Sequence, residues 1–360
     1  MNGITHKLSR LTLVFMMIGL LLGMASCDSV IYDNEGDCDV TYRLVFRYDM
    51  NLKWADAFAN EVKSVHLYAY DTDGHLVWET TDKGEHLASP GYSIMLNLPP
   101  GTYKLIAWCG TDNDAHLDPE RDESFTVAPA AVGSHHDDLL CSLNRMADDE
   151  HPAYSDQRLY SLFHGSIEVT LPDSQDGEDY VYTMPLTKDT NHVRIILQHL
   201  SGEDVDAGDF TFHIEDANGL LGHDNSLLQD EEIRYRPWAQ TTATAGVGKP
   251  DLANSRGIVQ VRGAIADMTV NRLSPAHKKS MMLTIKNKSG ETVAHVPVID
   301  YALLAKSYYE EAYGHKMSEQ EFLDREDEYT LTFFLDENNK WISSQILIHS
   351  WVVVLQNHDI

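Results

Sequence analysis

The chain reads in steps of two. Over residues 41–49, Tyr42, Leu44, Phe46 and Tyr48 fall on one side, and Arg43 and Arg47 on the other. An aromatic run with that period fits a half-buried strand and argues against a helix, whose faces return every 3.6 residues. Strands are expected again at 64–70, 76–80, 94–98, 103–109, 124–127 and 159–171. Between them lie clusters such as Asp71-Thr72-Asp73-Gly74 and Pro99-Pro100-Gly101, where proline and glycine preset the angles of a reversal. A second series covers 192–200, 210–215, 233–236, 258–261, 281–286, 292–298, 329–335 and 341–349, with reversals at Asn218-Gly219 and Asn338-Asn339. Two similar β halves predict a mainly β chain of two tandem sandwich domains, 41–182 and 183–360, divided near the polar run 173–179. Residues 110–157 are expected as long surface connections, 240–256 as a loop rich in small residues, and 54–58 as a helical turn. One block, 301–327, is helical. Ser318 with Glu321 three residues later is a capping box, and Gly314 is expected to split the block into two helices inserted in the second domain.

The start of the chain has a different texture. Lys7 and Arg10 precede an apolar run over 11–24, shorter than the roughly 20 residues a membrane-spanning helix needs. Basic residues, a short apolar run and then Ala25-Ser26 form the pattern of a secretory signal peptide, 1–26. Cys27 follows directly, as in a bacterial lipobox, with Met24 where leucine is usual. The expectation is cleavage between Ser26 and Cys27, with a diacylglycerol and an N-acyl chain on Cys27 and no other cofactor. An acidic tether, 27–40, leads into the first strand.

Composition narrows the partners. The net charge is −29, and losing the leader removes two basic residues and no acid, so the exported chain is more negative still. Such a surface repels nucleic acid and anionic headgroups, which leaves membrane contact to the acyl chains. Of the four cysteines, Cys38, Cys109 and Cys141 remain after Cys27 and allow three pairings or none.

No nucleophile elbow, zinc-protease helix or phosphate loop occurs, so no catalytic residue is assigned and the chain is not expected to be an enzyme. His135-His136-Asp137-Asp138 is the most ligand-like run among 18 histidines. In an extended loop, however, neighbouring side chains point opposite ways, so a solvated loop and no metal site are expected. Asp71 and Asp73 alternate as calcium ligands do, but His75, Val77 and Glu79 do not complete a calcium loop, and turn chemistry is expected. Acidic pairs such as Asp148-Asp149 carry no signal for glycoside hydrolysis in a chain with 56 acids. Trp54, Trp78, Trp108 and Trp238 are candidates for a sugar-binding surface, set against the commoner packing role of strand tryptophans.

The closing run differs from the strands before it. Trp351, Val352, Val353, Val354 and Leu355 are apolar at every position, which suits either a strand covered on both faces or one added to another subunit's sheet.

Several blocks, in order, resemble the fimbrillin-associated anchor (FimB-like) lipoproteins of Bacteroides and Porphyromonas type V pili. They are Cys27 with Cys38, Leu44-Val-Phe-Arg-Tyr-Asp-Met-Asn, Ala55-Asp-Ala-Phe, Val65-His-Leu-Tyr-Ala-Tyr-Asp-Thr-Asp-Gly, Pro100-Gly-Thr-Tyr and Leu162-Phe-His-Gly. Leu186-Thr-Lys-Asp-Thr-Asn, Asp300-Tyr-Ala-Leu-Leu, Tyr329-Thr-Leu-Thr-Phe-Phe-Leu-Asp and Ser350-Trp-Val-Val-Val-Leu-Gln-Asn complete the series. The resemblance implies transthyretin-like sandwiches and a lipid-anchored outer-membrane protein at the cell surface. It also implies a place at the base of a fimbrium, where the neighbour is a pilin subunit joined by strand exchange. Stalk subunits of this class lose their first strand to an arginine-specific protease, whereas an anchor keeps it. No arginine or lysine lies between Cys27 and Arg43, and Arg43 and Arg47 fall inside a predicted strand, where poor exposure is expected to protect them. The competing expectation is a surface adhesin or glycan-binding module.

Overall fold

The computed structural model describes residues 40–111, 123–128, 130–173, 179–248, 258–348 and 351–354; for 244–248, 258–261, 343–348 and 351–354 it describes the backbone alone. Strands are numbered in chain order. In the first half, a three-stranded sheet runs β10 (Asp179–Pro185), β1 (Thr41–Arg47), β4 (Ile94–Met95). Beside it a five-stranded sheet runs β11 (Thr187–Lys188), β9 (Phe163–Leu171), β5 (Gly101–Cys109), β2 (Ser64–Tyr70), β3 (Leu76–Lys83).

The second half holds a six-stranded sheet: β16 (Ala239–Gly248), β17 (Ile258–Val270), β12 (Asn191–His199), β20 (Glu328–Leu335), β21 (Trp341–Ile348), β22 (Trp351–Val354). Its partner runs β19 (Thr292–Pro297), β18 (Met282–Asn287), β13 (Phe210–Asp216), β15 (Ile233–Tyr235), β8 (Tyr154–Ser155). A small sheet, β14 (Leu220–Leu221), β7 (Cys141–Leu143), β6 (Phe125–Val127), completes the set. The fold is mainly β, two sandwiches in tandem with helices inserted in the second.

The period-two pattern explains the sandwich cores. Val193, Ile195 and Leu197 of β12 meet Phe210, Phe212 and Ile214 of β13 in one buried cluster. Each such side chain contributes about 1.5–3 kcal/mol by leaving water. The centre of the six-stranded sheet pairs β12 with β20 in parallel over His192–His199 and Glu328–Leu335, while β12 and β17 are antiparallel.

Four expectations are corrected. Residues 110–157 are more than surface connections: Phe125, Leu139, Cys141 and Leu143 pack with Ile106 and Trp108 of β5 in the large core. That covering makes β5 buried on both faces, since Leu105 and Ala107 are also fully buried. Scattered acids between these apolar residues hid the second layer.

Residues 240–248 form most of β16 rather than a loop. Thr241 and Thr242 stand opposite Ile265 and Ala264 in a ladder with the long β17, and cross-strand pairing outweighs a small-residue composition. The early helical turn lies at Phe58–Glu61, later than expected, because the Asp56 side chain makes a turn ahead of it: its Oδ1 accepts from the Phe58 N–H at 3.0 Å, with Ala57 as N-cap. The helical block holds three helices, Val298–Leu303, Lys306–Tyr313 and Glu319–Arg325. Gly314 ends the middle one with φ of 66°, and Ser318 accepts from the Glu321 N–H at 3.0 Å, as the capping box requires.

Strand pairing crosses the expected boundary near 182 in both directions. β11 pairs with β9 of the first half, and β8 pairs with β15 of the second. Cys109 and Cys141 are buried free thiols; Cys38 lies outside the described residues.

Candidate functional site: the two chain ends and the seam between the halves

The first strand is held from every side. β1 is the middle strand of its sheet, with β10 and β4 as neighbours. Arg43 stands opposite Met95 and Leu44 opposite Ile94, and the Leu96 N–H donates to the Tyr42 carbonyl at 2.8 Å. Tyr42, Leu44 and Phe46 are buried. Phe46, Phe58 and Tyr92 stack in a trio, with centroids 5.5, 5.7 and 6.3 Å apart. Just beyond the strand, the Leu186 N–H donates to the Arg47 carbonyl at 2.8 Å and the Ala57 N–H to the Tyr48 carbonyl at 2.9 Å.

Arg43 and Arg47 were expected to be shielded by poor exposure. Their side chains are in fact 39% and 56% exposed, Arg43 paired with Asp179 and Arg47 with Asp49. What a protease would have to extract is the backbone, which lies in the middle of a sheet.

Among the described residues, the last strand is held from one side. β22 is the outermost strand of the six-stranded sheet, joined to β21 by pairs running from Gln345↔Val354 to Ile348↔Trp351. Trp351, Val352, Val353 and Val354 therefore form an edge, not a strand covered by neighbours on both sides of its ladder. Leu355, Cys27 and Ser26 lie outside the described residues.

Between the two ends runs a polar seam. The Arg272 guanidinium contacts Asp189 at 2.7 Å and Asp324 at 2.9 Å, and Asn225 donates to Asp189 at 2.8 Å. Asp189 is fully buried, and burial pushes its carboxyl up to about 6 against the pull of Arg272. Lys188 reaches Glu61 at 3.0 Å and Asp327 at 2.5 Å, tying the turn after β1 to the residue before β20. Arg325 lies 3.9 Å from the Trp54 ring centroid and donates to the Asp49 carbonyl at 3.2 Å, while the Leu52 N–H donates to the Arg325 carbonyl at 3.1 Å. This stacking holds Trp54 at a φ of 52°, an uncommon conformation for a bulky residue.

At one end of the seam, His192 of β12 bridges Asp267 of β17 at 2.9 Å and Glu328 of β20 at 2.6 Å. Those two carboxylates hold the imidazole's pKa up to about 9. Arg194 adds a two-pronged contact to Asp267, at 2.7 and 3.2 Å.

Of these seam residues, Trp54 alone was singled out as a candidate from the sequence. The available signal was scarcity: 27 basic against 56 acidic residues, with Lys188 and Arg272 each next to stretches that become strands. A cation placed there is more informative than one among many. The tryptophans do not line one surface. Trp108 is fully buried, Trp54 lies on the seam, Trp78 is half-buried on β3, and the Trp238 Nε1–H donates to Thr269 at 3.1 Å. Asp71 serves its turn, accepting from the N–H groups of Asp73 and His75 at 3.0 and 2.8 Å.

Residues 34–357 match the Mfa2 family, the fimbrillin-A associated anchor proteins Mfa1 and Mfa2. The chain belongs to this family. It is 22% identical over 215 residues to the minor fimbrium anchoring subunit Mfa2 of Porphyromonas gingivalis, and the match spans 61% of that relative's length and 59% of this chain. The solved structure of the P. gingivalis fimbrial anchor protein Mfa2 shares the fold, with a TM-score of 0.60 at 16% identity over 87% of this chain and 98% of that one. An adhesin-like protein of Bacteroides thetaiotaomicron is similar at 31% identity and a TM-score of 0.73, over 88% of this chain and 97% of that one. A second B. thetaiotaomicron protein, proposed to bind polysaccharide, reaches 29% identity and a TM-score of 0.70, over 88% and 99%. The chain is thus a member of a fimbrial anchor and minor-subunit family. No helix among the described residues is long and apolar enough to cross a membrane.

Proposed function

We propose that the chain is the lipid-tethered base of a fimbrium, fixed to the outer membrane through Cys27 and joined to the adjacent pilin through its C-terminal strand. The observation that carries this reading is the contrast between the ends. The strand nearest the tether is the middle of a sheet, whereas the last strand has one free edge among the described residues. A free edge presents unpaired N–H and C=O groups, to which another chain can add by ordinary ladder bonds. A strand hydrogen-bonded on both sides resists detachment, because both ladders must break before it leaves. The seam would carry tension from one end to the other, since Lys188, Arg272 and Arg325 each bind groups from distant parts of the chain.

In this reading the chain does not catalyse a reaction, and it keeps its first strand because that strand follows the lipid. Cells carrying Cys27→Ala should shed fimbriae into the medium; fimbriae that stay on those cells would refute the tether.

A second reading, a surface adhesin or glycan-binding module, is favoured by the neighbour proposed to bind polysaccharide and by a cleft of about 430 Å³ lined by Trp238, Arg158, His192 and Arg194. A glycan array separates the two: saturable sugar binding lost in Trp238→Ala supports the module, and capture of a pilin supports the anchor.

A further inference from the structure

The run His135-His136-Asp137-Asp138 does not adopt the extended form expected of it. Residues His136–Asp138 make a 3-10 turn with His135 as its cap. The turn brings neighbouring side chains to the same side, and the His135 and His136 ring centroids are 4.2 Å apart. Backbone bonds pin the segment to the β2–β3 reversal: Gly133 N–H to the Leu76 carbonyl and Leu76 N–H to the Ser134 carbonyl, both at 2.8 Å, and His136 N–H to the Gly74 carbonyl at 2.9 Å. Gly74, at a φ of 83°, leaves room for the rings, since a Cβ there would meet His135 Nε2 at 2.5 Å and His136 Cδ2 at 2.8 Å.

A third histidine arrives from far along the chain. His223, in the reversal after β14, lies with its ring centroid 4.2 Å from that of His136, and its carbonyl accepts a bond from buried His164 at 3.0 Å. The three imidazoles converge on one carboxylate. Asp137 oxygens lie 3.2 Å from His135 Nδ1, 3.0 Å from His136 Nδ1 and 3.6 Å from His223 Nδ1. Ligand atoms of His135, His136 and Asp137 all fall within 4.8 Å of one another. Around an ion with bonds of about 2.0–2.2 Å, adjacent ligand atoms are separated by about 3–3.5 Å, so small side-chain rotations would bring these three residues into one coordination shell, with His223 Nδ1, 3.6 Å from Asp137, beside it.

Two further observations point to a ligand. His136 Nδ1 is buried, and what it faces at 3.0 Å is the Asp137 carboxylate. Asp137 is exposed while His136 and His223 are largely covered, leaving one open side for entry. Lys104 opposes a cation there, against the carboxylates of Asp137 and Asp224, which favour one.

We propose that His135, His136, Asp137 and His223 bind one divalent transition-metal ion of the zinc class, which staples the β2–β3 reversal and its covering segment to the reversal after β14. Imidazole with a single carboxylate suits such ions, and the second coordinating segment comes from the other half of the sequence.

The test uses the full chain in detergent, purified without a polyhistidine tag. Titration with Zn²⁺ alone should give about one tight equivalent, and Zn²⁺ should raise the melting temperature in a way EDTA reverses. Asp137→Asn and His223→Gln should each lower the affinity at least about tenfold, and the double variant should abolish the equivalent. His86→Ala, which removes an exposed histidine paired with Asp82, should leave it intact. Circular dichroism confirms that each variant is folded. Absence of a tight equivalent in the folded wild type would overturn the site. So would equal binding by wild type and the double variant, the result of an adventitious ion only.

Discussion

β1 and β22 are both short strands rich in large apolar residues, yet the fold treats them in opposite ways. β1 lies between two neighbours and buries Tyr42, Leu44 and Phe46, while β22 closes a sheet and, among the described residues, touches only β21 in its ladder. A strand in the first position belongs to the fold's interior. A strand in the second is a place where another chain can be added. The same hydrogen-bonding chemistry thus fixes one strand and leaves the other with an open edge among the described residues, and the anchor function proposed above needs one end of each kind.

Changes to the clamped end and to the seam should cost the most. Leu44→Ala should destabilise the protein by about 2–5 kcal/mol in urea unfolding, as for other fully buried leucines. Removing the seam's central cation should cost as much: Arg272→Met leaves Asp189 and Asp324 buried without their cation, at about 3–5 kcal/mol. A loss below about 1 kcal/mol in either variant would mean that the clamp or the seam is slack. Deleting 351–360 should cost the fold less than Leu44→Ala but remove fimbriae from cells. A folded deletion variant with normal fimbriae would make β22 a merely internal strand.

The His192 bridge gives a pH signature. Its folded pKa of about 9 lies above the ordinary value near 6.5, so its stabilisation is complete below about pH 6.5 and lost as pH rises through 9. The melting temperature should therefore fall from pH 7 to 10, and more steeply than in His192→Gln. Equal slopes would remove the bridge from the seam. The smallest effect belongs to Arg43→Gln, which breaks an exposed pair with Asp179 and should cost less than about 1 kcal/mol.

Much of the fold was legible because alternation survives wherever one face of a strand is covered. β1, β2, β12, β13 and β20 lie where period two places them. The misses share a cause, which is that tertiary contacts supplied what local pattern lacked. β16 is a strand because β17 offers it a ladder, and 110–157 is a covering layer because β5 has a second apolar face to hide. The site was legible in part. The closing strand at Trp351–Val354 was visible as a run of unbroken apolarity, but whether it would lie inside a sheet or at its rim depends on long-range pairing. Lys188, Arg272 and His192 gain meaning only from partners more than 50 residues away. The three histidines around Asp137 show the same limit, since His223 is nowhere near them in sequence.

The contrast between the two ends is tested most directly by crosslinking in fimbriated cells, with a photoreactive residue placed at either Val45 or Val353. A covalent adduct to a pilin is expected from position 353 and none from position 45, with the chain still carrying β1. An adduct from position 45, with none from 353, would contradict the assignment of the two ends.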